Sequence, residues 1–269
     1  MIQVNDIYKT YKIKDKYGNK STLNAVNGVS FTLKENTSYS LVGQSGSGKS
    51  TLARLLVFVE NSTKGEIFID GENLSLLSKN QIRKKRSDFQ MVMQDAKSSL
   101  NPKYTVFESI SEPLLIFEKL SKNQLNYRVM NLLKMVELPQ ELAKRYPHQL
   151  SGGQLKRICI ARAISLNPKL IVFDEAVSGL DVTVRKKILE LLIKLRKKLS
   201  ATYLFITHDI DVALFLSKKV FVMKDGVIVE YNQNANDFSS FKHEYSKLLI
   251  KSLPPVYPGQ DNNLRVNII

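Results

Sequence analysis

Gly43-Gln44-Ser45-Gly46-Ser47-Gly48-Lys49-Ser50 follows the apolar stretch Tyr39–Val42 and precedes a helical pattern over Thr51–Val59. A G-x-x-x-x-G-K-[ST] run between a strand and a helix is built to hold phosphate. Its glycines let successive backbone N–H groups converge on phosphate oxygens, and the helix that follows points its positive end at the same place. In this chemistry Lys49 reaches the β and γ phosphates, the Ser50 hydroxyl ligates Mg²⁺, and Thr51 completes the binding segment. A metal needs a second wall of negative charge. Leu170-Ile171-Val172-Phe173-Asp174-Glu175 offers one, four apolar residues of a buried strand ending in two carboxylates at the edge where open α/β sheets bind ligands. Asp174 would hold Mg²⁺ through water, and Glu175 would orient and deprotonate an attacking water.

These groups need a parallel sheet to carry them, and the rest of the chain reads that way. LIVF at 170–173 and YLFI at 203–206 are continuous apolar runs of the kind buried on both faces. Helix 183–199 lies between them, and Lys219–Met223 follows, joined to Val227–Glu230 by an Asp225-Gly226 turn. The first thirty-five residues alternate in polarity and predict short strands around a polar insert, Lys14–Ser21, and Gly65–Asp70 reads as part of a hairpin. From Ser109 to Asn167 the pattern is mostly helical, with breaks expected at Pro113, Pro139 and Pro147. The chain closes with a short helix, Glu244–Leu253, and a proline- and asparagine-containing tail.

Composition sets outer limits. The chain has 269 residues, 43% hydrophobic and 24% charged, enough for a large core. No apolar run approaches the roughly 18 residues that span a bilayer, and the first ten residues carry no secretion signal. Cys159 is the sole cysteine, which excludes an intrachain disulfide and a thiolate-bound cluster from this chain alone; His148, His208 and His243 have no metal-ligand spacing. The net charge of +15 makes anionic partners plausible, but Arg83–Arg86 and the seven basic residues of Arg185–Lys198 fit solvated helix faces as well as a membrane or nucleic-acid surface.

Leu150-Ser151-Gly152-Gly153-Gln154, followed by Leu155-Lys156-Arg157 and Ala161-Arg162-Ala163, resembles the signature of the ATP-binding-cassette ATPases. Physically, Ser151 would cap a long helix whose open amides make a second anion site. Lying 102 residues beyond Lys49, it has no reason to serve the same nucleotide within one chain. The resemblance implies a head-to-tail dimer in which the signature of one subunit covers the γ-phosphate held by the other. It also implies roles for Gln94, as a sensor of metal and water linking the core to a helical lobe, for Asp181 in Ser178-Gly179-Leu180-Asp181, as part of a loop crossing the dimer interface, and for His208, on the γ-phosphate. Tyr11, with Tyr8 and Tyr17 nearby, is the best match for the tyrosine that stacks on adenine.

The implied fold is α/β: a phosphate-loop NTPase core with a mostly parallel sheet, an antiparallel β subdomain and an inserted helical subdomain. The expected divisions are an ATP-binding domain over 2–250, a helical insertion over 96–165 and a C-terminal helix and tail over 236–269. Two departures are tolerable: Ala176 replaces a usual proline, and Asn36 replaces a usual glycine at a left-handed turn. Ser98–Pro102, Pro147–Gln149 and His243–Leu249 resemble the peptide and nickel import ATPases, and the ending Leu253–Pro258 resembles the second ATPase of nickel importers. The expectation is therefore an ATPase using ATP and Mg²⁺ to drive nickel import, with peptide import as the alternative and a non-transport cassette ATPase, acting on nucleic acid or ribosomes, below both. The implied partners are a second ATPase, two membrane permeases and, indirectly, an extracellular substrate-binding protein, with peripheral attachment at the cytoplasmic face and no nucleic acid. Val106, Phe107 and Ile110 are candidates for permease docking, unless they pack the lobe's own core.

Overall fold

The computed structural model describes residues 1–14 and 18–253. Tyr17 and the Pro254–Pro258 segment of the expected tail lie outside the described residues. Two compact units are present: one combines Met1–Ile82 with the chain from Leu204 onward, and the other is Arg83–Tyr203.

In the first unit, β1 (Ile2–Lys14) and β2 (Lys20–Leu33) are two long strands rather than several short ones, paired antiparallel from Ile2↔Leu33 to Lys14↔Lys20. The alternation works as expected: Ile2, Val4, Ile7, Val26, Val29 and Leu33 are all buried. Asn36 takes the left-handed turn at φ 52°, and β3 (Ser38–Val42) is buried at each residue. The helix after the phosphate loop, α1, runs Lys49–Leu56 and stops short of the expected Val59. Phe58 turns left-handed at φ 51°, and the N–H groups of Val59 and Glu60 bond back to the Arg54 carbonyl at 2.9 and 3.2 Å. Strands β4 (Lys64–Ile69) and β5 (Glu72–Asn73) flank an Asp70-Gly71 turn, giving an antiparallel sheet ordered β2-β1-β4-β5. A short helix, α2 (Lys79–Lys85), begins at the end of this segment and carries Arg83, Lys84 and Lys85 of the RKKR run as the first residues of the second unit.

In the second unit, β6 (Phe89–Val92) pairs in parallel with the strand that ends in the two carboxylates. Between them come α3 (Val106–Phe117), α4 (Lys122–Met135) and α5 (Gly152–Ile164), then β7 (Leu170–Asp174) and α6 (Val182–Lys198). Pro113 does not break α3 as expected; it lies inside it. The helix survives because a Thr105–Glu108 capping box secures its start and because Val106, Ile110 and Leu114, each at most 1% exposed, bury one face. Each such burial is worth about 1.5–3 kcal/mol, comparable to the proline's cost of about 3. Pro139 and Pro147 do punctuate the chain, each at the start of a 3₁₀ turn. Helix α6 buries Ile188, Leu189, Leu191, Leu192 and Leu195 and leaves Lys186, Lys187, Lys194, Lys197 and Lys198 exposed, a solvated basic face.

The chain returns through β8 (Thr202–Thr207), α7 (Ile210–Leu216), β9 (Val220–Lys224), β10 (Val227–Asn232) and α8 (Glu244–Lys251). Strand order is β10-β9-β3-β8, with β3 and β9 parallel and β9 and β10 antiparallel across the Asp225-Gly226 turn. Helix α8 packs its Tyr245, Leu249 and Ile250 into a core with Val42, Val220, Val222 and Phe241.

Candidate functional site

The phosphate loop is a backbone cradle with no room for side chains at two of its glycines. A Cβ on Gly43 would lie 2.2 Å from the Met223 carbonyl oxygen, and one on Gly48, at φ 102°, would lie 2.1 Å from the Ala25 carbonyl oxygen. Gly46, at φ 83°, meets nothing within 4 Å, so its requirement is conformational alone. Lys49 is 5% exposed and folds across the loop, donating to the carbonyls of Gly43 and Gln44 at 2.7 Å each and to Ser47 Oγ at 3.3 Å. Its ammonium is thus held against the loop by three of the loop's own oxygens. Ser47 N–H donates to the Gln44 carbonyl at 3.2 Å, and Ser45 lies exposed at the rim. Ser50 occupies the first turn of α1, and Thr51 Oγ1 accepts from Arg54 Nη2 at 3.3 Å.

Tyr11 lies on β1 opposite Leu23 and is half-buried. Its hydroxyl donates to Glu60, and Lys9 Nζ stands 5.1 Å from the ring centroid. Arg54 Nε also donates to Glu60, at 2.5 Å. Burial raises the pKa of the Glu60 carboxyl, but the bonds from Tyr11 and Arg54 outweigh it and hold the group below its usual range. Tyr8 is committed elsewhere, its hydroxyl 2.9 Å from where a Gly28 Cβ would be. His208 stands exposed at the end of β8. It does not cap α7; Asp209 does, accepting from the N–H groups of Asp211 and Val212 at 3.0 and 3.4 Å.

The second unit brings together three of the anticipated residues. Asp174 ends β7 and is 7% exposed, and Glu175 follows at φ 45°. A left-handed conformation at a non-glycine residue stores strain, and such outliers collect at functional sites. Ser178 clamps this turn, its N–H and Oγ both donating to the Glu175 carbonyl at 3.1 and 2.8 Å. The Glu175 carboxylate accepts from Gln94 Nε2 at 2.8 Å. A carboxylate aligned by an amide at a strand's C-terminal edge can take a proton from water and orient what remains.

Ser151 caps α5 as the sequence suggested. Its Oγ accepts from Gln154 N–H at 3.3 Å, while the Gln154 side chain accepts from Ser151 N–H at 2.9 Å. Ser151 and Gly152 are exposed, leaving the helix start accessible. Gly153 serves packing, since a Cβ there would come 2.7 Å from Val184 Cγ1 on α6; Gly152 has ordinary space. Asp181 is exposed ahead of α6 and makes no side-chain cap.

Three contributions were not read from the sequence. Tyr245 of α8 accepts at its hydroxyl from Gln44 N–H at 3.1 Å, so the C-terminal helix touches the phosphate loop. Glu230 anchors that helix, accepting from Lys242 N–H at 2.7 Å, His243 N–H at 3.3 Å and the Ser246 hydroxyl. Glu60 fixes Tyr11. Of the docking candidates, Val106 and Ile110 are 1% and 0% exposed and pack the lobe's own interior; only Phe107 is half-buried. No helix among the described residues is long and apolar enough to cross a membrane.

A sequence-family model described as "ABC transporter" matches residues 26–178. The chain is 40% identical over 258 residues to the oligopeptide transport ATP-binding protein OppF of Lactococcus lactis subsp. lactis (strain IL1403), across 95% of this chain and 81% of that one. It is 38% identical over 271 residues to the glutathione import ATP-binding protein GsiA of Pectobacterium atrosepticum, but spans only 44% of GsiA's length. The solved dimeric structure of MJ0796, a bacterial ABC transporter cassette, superposes with a TM-score of 0.79 at 33% identity, over 87% of this chain and 100% of that one. The cassette fold expected from the sequence is therefore present. Relatives that align over nearly the whole chain are named for oligopeptide and glutathione import, which overturns nickel as the expected cargo. The motifs behind that expectation belong to the ATPase itself, and the Leu253–Pro258 ending runs beyond the described residues.

Proposed function

The chain belongs to the ABC transporter family as an ATP-hydrolysing transport ATPase using ATP and Mg²⁺, and from that premise we propose that it powers a peptide importer. The observation that carries the reading is the 40% identity to an oligopeptide transport ATP-binding protein over 95% of this chain and 81% of that relative. Glutathione, named for a second group of relatives, is itself a small peptide. The proposed cargo class is accordingly short peptides.

In this reading Gly43–Thr51 cradle the phosphates, with Lys49 on the β and γ groups, and Tyr11, fixed by Glu60, stacks on the base. Ser50, Asp174 and Gln94 would hold Mg²⁺, which neutralises the charge developing on the phosphate oxygens. A hydroxyl, a carboxylate and an amide oxygen are donor types that Mg²⁺ takes. Glu175 takes the proton from the attacking water, and His208 contacts the γ-phosphate. Ser151, Gly152, Gly153 and Gln154, exposed or half-exposed at a helix N-terminus, serve the nucleotide held by a second ATPase arranged head to tail, with Asp181 at the interface. We assign residues 2–250 to the ATP-binding domain, 96–165 to the helical insertion and 236–269 to the C-terminal helix and tail. ATP filling both composite sites would draw the dimer closed, and hydrolysis would release it, driving two membrane permeases between facings. Attachment to the cytoplasmic face is peripheral, through those permeases, with an extracellular binding protein delivering the peptide.

The test is uptake by proteoliposomes holding this chain, its permeases and partner ATPase, with ATP enclosed on the ATPase side. Labelled oligopeptide should accumulate only with ATP. Transport that ignores oligopeptide and glutathione, or a complex that consumes ATP without moving either, would overturn the reading.

A further inference from the structure

The one lysine of the signature helix that faces inward has no task in the mechanism above. Lys156 is 2% exposed. An ammonium is kept at such a position only where acceptors replace its water, and two carbonyls do so: Lys156 Nζ donates to Met93 O at 3.0 Å and to Gln94 O at 2.5 Å. Burial lowers its pKa, and the charges of Asp95, Asp174 and Glu175 oppose that shift.

These two oxygens belong to the peptide planes on either side of the Gln94 Cα. Fixing both planes fixes φ and ψ at Gln94, and with them the direction in which its side chain leaves the backbone. The attachment continues along the same helix face. Cys159 Sγ lies 3.7 Å from Ala96 O, and Arg162 Nη1 donates to Ser99 O at 2.7 Å. Positions 156, 159 and 162 recur every three residues, which aligns them along one side of α5. The segment they hold lies between β6 and α3, outside regular structure, so its carbonyls need partners from elsewhere. Its own turn is braced as well: Asp95 accepts from Lys97 N–H at 2.9 Å on its carboxylate and from Ser99 Oγ at 2.5 Å on its carbonyl.

We propose that Lys156 is a positioning residue for ATP hydrolysis, clamping the backbone on both sides of Gln94 so that the Gln94 amide is set on the Glu175 carboxylate. The inference rests on the roles assigned above to Gln94 and Glu175. It makes the signature helix more than a surface for the partner's nucleotide, because the helix capped by Ser151 also sets the geometry of the general base in its own chain. Any displacement of α5 is then transmitted to Gln94 by direct hydrogen bonds.

The experiment is a double-mutant cycle on steady-state ATPase activity of the full chain in its assembled transporter. Lys156→Met keeps the apolar stem and removes both donors; kcat should fall roughly ten- to a hundredfold while KM for ATP stays within about twofold. In a Gln94→Ala background the same substitution should cost less than about threefold, because its effect passes through Gln94. Lys156→Arg, which keeps a cation with donors enough for both carbonyls, should recover most of the activity. Unchanged kcat in Lys156→Met, or a loss of the same size with and without Gln94, would overturn the proposal. Should Lys156→Met unfold, Lys156→Leu, which likewise carries no donor, is read by the same criteria. Glu175→Gln separates this inference from the reading beneath it: if that variant is inactive while Lys156→Met behaves normally, only the clamp is wrong, and if Glu175→Gln is active, the site assignment falls.

Discussion

Substituting Gly48 by alanine adds one methyl group where the backbone leaves no volume for it. Gly48 sits at φ 102° and ψ −1° immediately before α1. The left-handed backbone costs an L residue about 1–2 kcal/mol. The new Cβ would also lie 2.1 Å from the Ala25 carbonyl oxygen and 2.9 Å from Met223 Cε. The methionine tip can swing aside, but Ala25 lies in β2, so relief requires its peptide or the first turn of α1 to move by roughly 1 Å, at a further cost of about 1–3 kcal/mol. That turn contains Lys49 and Ser50. Gly46→Ala supplies the control, because at φ 83° with nothing within 4 Å it incurs only the backbone cost. Denaturant unfolding of the two variants beside the unsubstituted chain should show a loss of about 2–5 kcal/mol for Gly48→Ala and about 1–2 for Gly46→Ala, with Gly48→Ala the larger. ATP titration of Gly48→Ala should show binding lost. Equal destabilisation by the two substitutions would refute the reasoning that close approach, rather than φ alone, demands glycine at 48.

Other consequences are open to measurement. Lys49→Ala should weaken ATP binding to the isolated chain, whereas Ser151→Arg should leave it almost intact and block dimer closure; equal losses by calorimetry would place the signature on its own chain's nucleotide. Ile110→Ala, at a fully buried position, should cost about 2–5 kcal/mol of unfolding free energy, and a loss under about 1 would mean the residue faces a partner. Tyr245→Phe removes only the acceptor for Gln44 N–H. A bond worth about 1 kcal/mol predicts roughly fivefold weaker ATP binding, and an unchanged Kd would sever α8 from the phosphate loop.

What the sequence disclosed was what local chemistry determines. The phosphate loop, the strand ending in Asp174 and Glu175, the Ser151 cap and the Asp225-Gly226 hairpin depend on residues near one another in the chain, and each lies where spacing and residue type put it. What stayed hidden either lacked its usual residue signal or depends on packing and distant partners. Phe58 ends α1 in a left-handed turn that ordinarily signals itself through glycine or asparagine. Pro113 remains helical because the packing of Ile110 and Leu114 overrides its local effect. The grip of Glu60 on Tyr11 spans 49 residues and that of Lys156 on Met93 spans 63, and neither has a local signature. Lys156, Cys159 and Arg162 recur every three residues, but only the fold shows which segment they face. Cargo was misread: Ser98–Pro102, Pro147–Gln149 and His243–Leu249 resemble peptide and nickel import ATPases alike and do not choose between the two.

In the function proposed for this subunit, Glu175 takes the proton from the water that attacks ATP. That role is tested most directly by the oligopeptide-stimulated ATPase rate of the reconstituted transporter carrying Glu175→Gln, a substitution that keeps shape while removing the base. ATP binding should be retained and turnover lowered roughly 10²–10⁴-fold. Near-normal turnover in that variant would contradict it.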